Sequence, residues 1–240
     1  MRSVRIRFLP TEELNLPFAH SVILQGVLYK LLSADPVLSE EIHNKQNSSN
    51  RTYKFLCFSD IIGSYKICRK TLNYRGAFEW EIRSADDKII DTVCQSVLTM
   101  PSIEINHYVC KIDSVETACK TLMNDEYVFH ALTPIIVSDT LETGYTLYYN
   151  PFQLEFTEKI TENLERKYHA FYGRPPASEI SITALAPDDR NKCVTRYKDT
   201  IINAWYGDYR IKADKDVMDL IYYTGLGRRN AAGFGTVSEI

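Results

Sequence analysis

The sequence predicts an α+β protein made of two tandem ferredoxin-like halves, each ordered β-α-β-β-α-β. Val4, Ile6 and Phe8 alternate with Arg5 and Arg7, which marks a half-buried opening strand. Leu24, Val27, Leu28, Leu31 and Leu32 then form an apolar stripe at helical spacing over 20–33. The same alternation of strand and helix patterns returns after about residue 126.

Asp35-Pro36 starts a short second helix, with Asp as N-cap and Pro at the first helical position, ending around His43 before the polar run 44–50. Residues 53–59, 65–69 and 77–83 read as strands, 86–98 as a helix, and 103–115 as a strand after the break at Met100-Pro101. In the second half, 127–132 and 135–137 are strand-like around Thr133-Pro134. Asn150-Pro151 caps a long helix to about Tyr172, with Phe152, Phe156, Ile160, Leu164 and Tyr168 on one side and Gly173 and Pro175-Pro176 as its stop. Strands are expected at 179–186, 192–198 and 201–209, a helix at 214–223, and a last strand at 234–238 after a glycine-rich stretch. The expected domains are 1–120 and 121–240, joined near 118–126.

A chain of 240 residues with 45% apolar and 25% charged residues has the composition of a globular protein, not of a disordered or fibrous one. No apolar run approaches a membrane span and the first residues carry no apolar signal core, so a cytoplasmic protein is expected. Six cysteines include no CxxC pair and no zinc-like Cys/His spacing, and four of them sit in apolar or strand-like surroundings that suit reduced thiols. The net charge is −3, yet it is unevenly spread. From His43 to Arg75 seven Lys/Arg face one acid, and from Asp139 to Glu165 six acids face one Lys. A basic face on an acidic protein is therefore expected.

The most informative stretch is Gly225-Leu226-Gly227-Arg228-Arg229-Asn230-Ala231-Ala232-Gly233-Phe234-Gly235. Its glycines allow close backbone approach, and its amides could face phosphates. It is neither GxGxxG nor GK[ST], and too few residues follow for a βαβ unit. G-L-G-x(5)-G-F-G near the end of the chain resembles the signature of the CRISPR-associated endoribonucleases that cut precursor crRNA within its repeats, members of the repeat-associated (RAMP) superfamily. Residues 16–20 (LPFAH), 24–29 (LQGVLY), 54–59 (KFLCFS), 132–135 (LTPI) and 171–176 (FYGRPP) resemble family landmarks in the same order.

The resemblance implies the tandem ferredoxin-like fold and a metal-independent, cofactor-free cleavage. The ribose 2′-OH attacks the adjacent phosphate and leaves a 2′,3′-cyclic phosphate and a 5′-OH. Such a step needs a base, an acid and positive charge beside the phosphorane. Family members often draw Tyr, His and Lys from the first helix, the loop after it and the next strand, and Tyr29, His43 and Lys54 match by position. Lys45 and Arg51 remain substitutes for Lys54. Tyr29 shares a helix face with Gln25 and Ser33, away from the leucine stripe. His43 ends a helix whose dipole favours imidazolium, which suits a proton donor. His20 opens the first helix, where capping or packing is the expected role; His107 and His130 are expected in strands, and His169 on the long helix.

The residues themselves point to RNA contacts at Arg228 and Arg229 with Gly225, Gly227, Gly233 and Gly235, and at Lys192, Arg196 and Lys198, which with Arg190 make four basic residues within nine around a stacking Tyr197, a solvated edge-strand face being the alternative for that cluster. The implied partner is CRISPR repeat RNA, with further subunits of an interference complex and a homodimer left open. A non-catalytic crRNA-binding member of the superfamily is the alternative reading.

Overall fold

The structure is a computed structural model that describes residues 1–44 and 53–240, without the side chains of 41–44. The chain divides into two compact units. One is Met1–Cys119 with Ala231–Gly233, and the other is Lys120–Asn230 with Phe234–Ile240.

The first unit contains β1 (Arg2–Pro10), β2 (Leu14–Pro17), α1 (Ser21–Leu32), α2 (Pro36–Asn44), β3 (Leu56–Phe58), β4 (Ile62–Cys68), β5 (Thr71–Ser84), α3 (Asp87–Thr99), β6 (Ser102–Ile105) and β7 (Tyr108–Ala118). Its antiparallel sheet runs β2-β5-β1-β7-β6, with β3 and β4 also paired to β5. The pairings β3-β5-β1-β7 are those of a ferredoxin-like fold, with β2, α2, β4 and β6 as additions. The alternation predicted for β1 is observed: Val4, Ile6 and Phe8 are buried, and Phe8 stacks on Phe78 with centroids 5.3 Å apart. Leu24, Leu28 and Leu31 of α1 join Ile90, Val93 and Val97 of α3 in the same core. Asp86 caps α3 by accepting the Lys88 amide at 3.0 Å. On the strand positions that alternate with the core, Arg83 Nε donates to Glu81 Oε1 at 2.8 Å, both side chains being buried. Burial pushes the Glu81 carboxyl up, but the Arg83 and Arg5 guanidiniums outweigh it and hold it below the usual carboxylate range.

The second unit contains β8 (Glu126–Ala131), β9 (Ser138–Thr140), β10 (Thr146–Tyr148), α4 (Leu154–Tyr172), β11 (Ser181–Leu185), β12 (Lys192–Tyr197), β13 (Thr200–Trp205), β14 (Asp208–Lys212), α5 (Lys215–Thr224) and β15 (Val237–Glu239). Its main sheet runs β11-β14-β8-β15, the ferredoxin-like order again, while β9-β10 and β12-β13 form separate hairpins. Phe156, Ile160 and Leu164 of α4 are fully buried, and Phe156 stacks on Tyr209 of β14 at 5.9 Å.

Several element boundaries differ from expectation for local reasons. The strand expected at 103–115 is a hairpin, because Asn106 and His107 both take positive φ (50° and 70°) and form its two-residue turn. His107 is therefore a turn residue, not a strand residue. Residues 135–137 make only isolated bridges, Ile135 to Trp205 and Ile136 to Arg228. The long helix starts at Leu154, because the Asn150 side chain accepts the Phe152 amide at 3.0 Å and holds a turn there. The stretch 201–209 splits between β13 and β14 at Gly207. Strands β2, β9 and β10 have three or four residues each, too few for a periodic signal. Among the described residues no helix is long and apolar enough to cross a membrane.

Truncation of Phe156 to Ala should cost roughly 3–5 kcal/mol, the usual range for emptying a buried aromatic site. Urea denaturation of the full chain checks this, and a loss under 1 kcal/mol would mean that Phe156 is not the core residue its burial indicates.

Candidate active site and nucleic-acid interface

Tyr29 lies in the third turn of α1, half-buried at the edge of the leucine core. Lys54 precedes β3 by two residues, and the backbone beside it is pinned. The Phe55 carbonyl accepts both the Ala85 amide and the Ser84 hydroxyl at 2.9 Å. From that anchor Lys54 Nζ reaches the Tyr29 hydroxyl at 2.7 Å and lies 5.1 Å from its ring centroid. An ammonium donating to a phenol oxygen favours negative charge on that oxygen. His43 falls in the last turn of α2. Its side chain lies outside the described residues, as do Lys45 and Arg51.

His20 is not free to act on a substrate. It is 4% exposed, its Nδ1 donates to the Pro17 carbonyl at 2.9 Å, and its Nε2 pairs with Asp60. Burial pushes its pKa down, but the hydrogen bond and charge of Asp60, aided by the Pro17 carbonyl, more than reverse this and raise it. Asp60 also accepts the Ile61 amide at 2.8 Å, so the pair ties the entry of α1 to the loop after β3. Sequence reading placed His20 in a packing role but missed Asp60, forty residues away.

The four glycines of the 225–235 loop are all buried. The Leu226 amide donates to the Gly235 carbonyl at 2.8 Å, and a Cβ on Gly235 would stand 2.0 Å from the Leu226 carbonyl oxygen. A Cβ on Gly225 would meet the Gly235 carbonyl oxygen at 2.7 Å. Gly227 approaches the Ile136 carbonyl in the same way, and Gly233 the Phe58 ring. The amides of Gly225, Leu226, Arg228 and Gly235 are donated to Ile221, Gly235, Ile136 and Pro134 carbonyls. These amides close the loop on itself and on its unit, so they are not directed at a phosphate.

The cations around the loop differ in availability. Arg228 is half-buried and donates to the Ser138 carbonyl at 2.6 Å and its hydroxyl at 3.1 Å. Arg229 is exposed, with its guanidinium 5.2 Å from the Tyr197 ring centroid. Tyr197 is only 8% exposed, with Phe234 against it, so its ring supports Arg229 and offers no open face to a base. Lys192, Arg196 and Lys198 are exposed on the β12-β13 hairpin. Arg196 donates to the Lys198 carbonyl at 3.0 Å. Arg190 is held by Asp188, which lowers the local charge of that corner.

One residue the sequence reading passed over is Lys167 on α4, which is 2% exposed. Its Nζ donates to the Gly225 carbonyl at 2.7 Å, Asn230 Oδ1 at 3.1 Å and the Thr224 carbonyl at 3.3 Å. Asn230 Nδ2 then spans the Leu226 and Phe234 carbonyls at 2.8 and 3.0 Å. A signal was present: Lys167 stands on the buried stripe of Phe156, Ile160 and Leu164, where a lysine is out of place.

Two outcomes test this geometry. Gly235→Ala should destabilise the protein by about 3 kcal/mol or more, since positive φ and backbone overlap add. Gly26→Ala, in the exposed part of α1 with nothing near its Cβ, should be neutral or stabilise by up to ~1 kcal/mol. Equal melting temperatures for the two variants would contradict the packing described. The second outcome concerns pH. Because the native pKa of His20 is raised above its ordinary value of 6.5, its pairing stabilises fully below 6.5 and fades as pH rises through the native value. Asp60→Asn should therefore lower the melting temperature more at pH 6 than at pH 9, and an equal loss at both would exclude a charged His20.

Comparison with known proteins agrees with this architecture. The curated "CRISPR-associated endoribonuclease Cas6" of Pyrococcus furiosus is 24% identical over 97% of this chain and 88% of its own. "CRISPR-associated endoribonuclease Cas6 1" of Methanocaldococcus jannaschii is also 24% identical, over 94% and 87%. Among solved structures, one described as a Cas6-related gene product from Pyrococcus furiosus superposes with TM-score 0.84 at 19% identity, covering 99% of this chain and 98% of its own. Another, described as a RAMP protein binding different RNA substrates, gives TM-score 0.84 at 19% identity over the whole of both chains. A Cas6 product complex gives 0.72 at 12%, over 100% of this chain and 99% of its own. The family model for the C-terminal part of CRISPR-associated protein Cas6 matches residues 116–239, more than half of the chain and including the whole glycine-rich loop, and the chain belongs to that family.

Proposed function

We propose that this protein is an endoribonuclease that binds CRISPR repeat RNA and cuts precursor crRNA within the repeat. The observation that carries the reading is the 2.7 Å contact between Lys54 Nζ and the Tyr29 hydroxyl. Two residues that resemblance to the family marks as catalytic meet across 25 positions of sequence. The names of the relatives, which are endoribonucleases, and of the neighbours, one binding RNA substrates and one a product complex, support it.

In the proposed mechanism Tyr29 takes the proton of the ribose 2′-OH, and the 2′ oxygen forms a bond to the adjacent phosphorus. Lys54 favours the ionised phenol before attack and offsets the charge of the phosphorane. The P–O5′ bond breaks as His43 gives its proton to the leaving oxygen. The products are a 2′,3′-cyclic phosphate and a 5′-OH. Base, acid and positive charge all come from side chains, so no metal ion is required. Arg228, Arg229, Lys192, Arg196 and Lys198 supply the phosphate contacts, Arg229 being the exposed arginine of the loop.

Cleavage of repeat RNA should persist in excess EDTA, and a 2′-deoxy substitution just 5′ of the cut should abolish cutting while sparing binding. His43→Ala should slow single-turnover cleavage by roughly 10²–10⁴-fold, and a 5′-bridging phosphorothiolate should largely restore it, because a thiolate leaves without a proton. The same substrate should not rescue Tyr29→Phe. Wild-type cutting by both variants would overturn the catalytic assignment, whereas repeat RNA bound but left uncut by the unaltered protein would support a non-catalytic RNA-binding protein instead.

A further inference from the structure

A lysine that is 2% exposed forfeits the hydration of its ammonium, and such a group persists where fixed acceptors replace the lost water. Lys167 has three. Two are the Thr224 and Gly225 carbonyls that end α5, where the helix dipole also favours a cation. The third, Asn230 Oδ1, orients the amide so that its Nδ2 bridges Leu226 and Phe234, one residue from each glycine pair. Immediately before Asn230 stands Arg229, held at φ +62°. That left-handed conformation is strained for a non-glycine residue and persists only where neighbours enforce it. Asn230 on one side and the Tyr197 ring beneath the guanidinium are the neighbours that do so.

We infer that Lys167 is a positioning residue for RNA binding: through Asn230 it locks the glycine-rich loop in the one conformation that presents Arg229 to a phosphate. Lys167 itself is buried and touches no RNA. The inference rests on the reading that Arg229 contacts repeat RNA, and it adds a residue on a different element, 58 positions from Gly225, that makes the contact preformed.

The test is a double-mutant cycle in the full chain, read as affinity for repeat RNA of the host's CRISPR array against salt concentration, with amide hydrogen exchange of 225–235 in the absence of RNA. Arg229→Ala alone should lower affinity and reduce the salt slope by about one. Lys167→Met should do the same and speed exchange of the Leu226, Arg228 and Gly235 amides by about tenfold or more, the scale of a lost buried hydrogen bond. The double variant should bind no worse than the weaker single one. Asn230→Ala, which keeps two of the three Lys167 acceptors, should reproduce the coupling and carries the test if Lys167→Met does not fold. A merely structural lysine would lower the melting temperature yet leave the salt slope and its dependence on Arg229 unchanged, which would overturn the inference. Additive losses in the double variant would overturn it too. No effect of Arg229→Ala itself would remove the loop from the RNA site, and the inference with it.

Discussion

The feature on which the rest depends is the contact of backbone on backbone inside 225–235. The Leu226 amide meets the Gly235 carbonyl, and Gly225 and Gly235 lie too close for any Cβ. This closure brings Leu226 and Phe234 near enough for one asparagine amide to bridge them, and it sets the end of α5 beside a buried lysine. Glycine matters here for absence of bulk as much as for its positive φ. The four loop glycines are buried, and Arg229 is the loop arginine whose guanidinium is exposed.

The first unit solves a different problem, holding a lysine that lies outside any helix or strand against a tyrosine on α1. The Tyr29 ring is fixed by the helix stripe that packs on the sheet. Lys54 is fixed by its neighbour, since Phe55 is bonded to Ser84 and Ala85 where β5 gives way to α3. The Lys54 anchor traces back to β5, the fourteen-residue strand paired with β1, β2, β3 and β4. Its core-facing positions carry Phe78, Trp80 and Ile82, and its alternate positions carry the buried Glu81–Arg83 pair. One strand therefore carries much of the core and steadies Lys54.

Positive charge is handled in two different ways. The exposed Arg229, Lys192, Arg196 and Lys198 sit where water stabilises them until a polyanion arrives. Lys167 and Arg83 are buried, and each is compensated by fixed acceptors, carbonyls and an amide for one and a carboxylate for the other. A charge count along the sequence puts these two kinds of cation in one class, although only the first kind is exposed.

The sequence by itself determined what repeats along the chain. Period-two and period-3.6 patterns set β1, α1, α3, α4 and α5, and with them the two ferredoxin-like halves, because burial of one face imposes a local period. The spacing of its glycines singled out the 225–235 loop, and the family resemblance carried by motifs in order along the chain pointed to Tyr29, His43 and Lys54. Tertiary structure decided what depends on partners distant in sequence. It paired His20 with Asp60 and Lys167 with Asn230, spent four loop amides internally, and covered the Tyr197 ring. It also separated the tethered Arg228 from the exposed Arg229. The His20 and Lys167 pairings follow from atoms that meet across 40 and 63 residues of chain, and no local period encodes such a meeting.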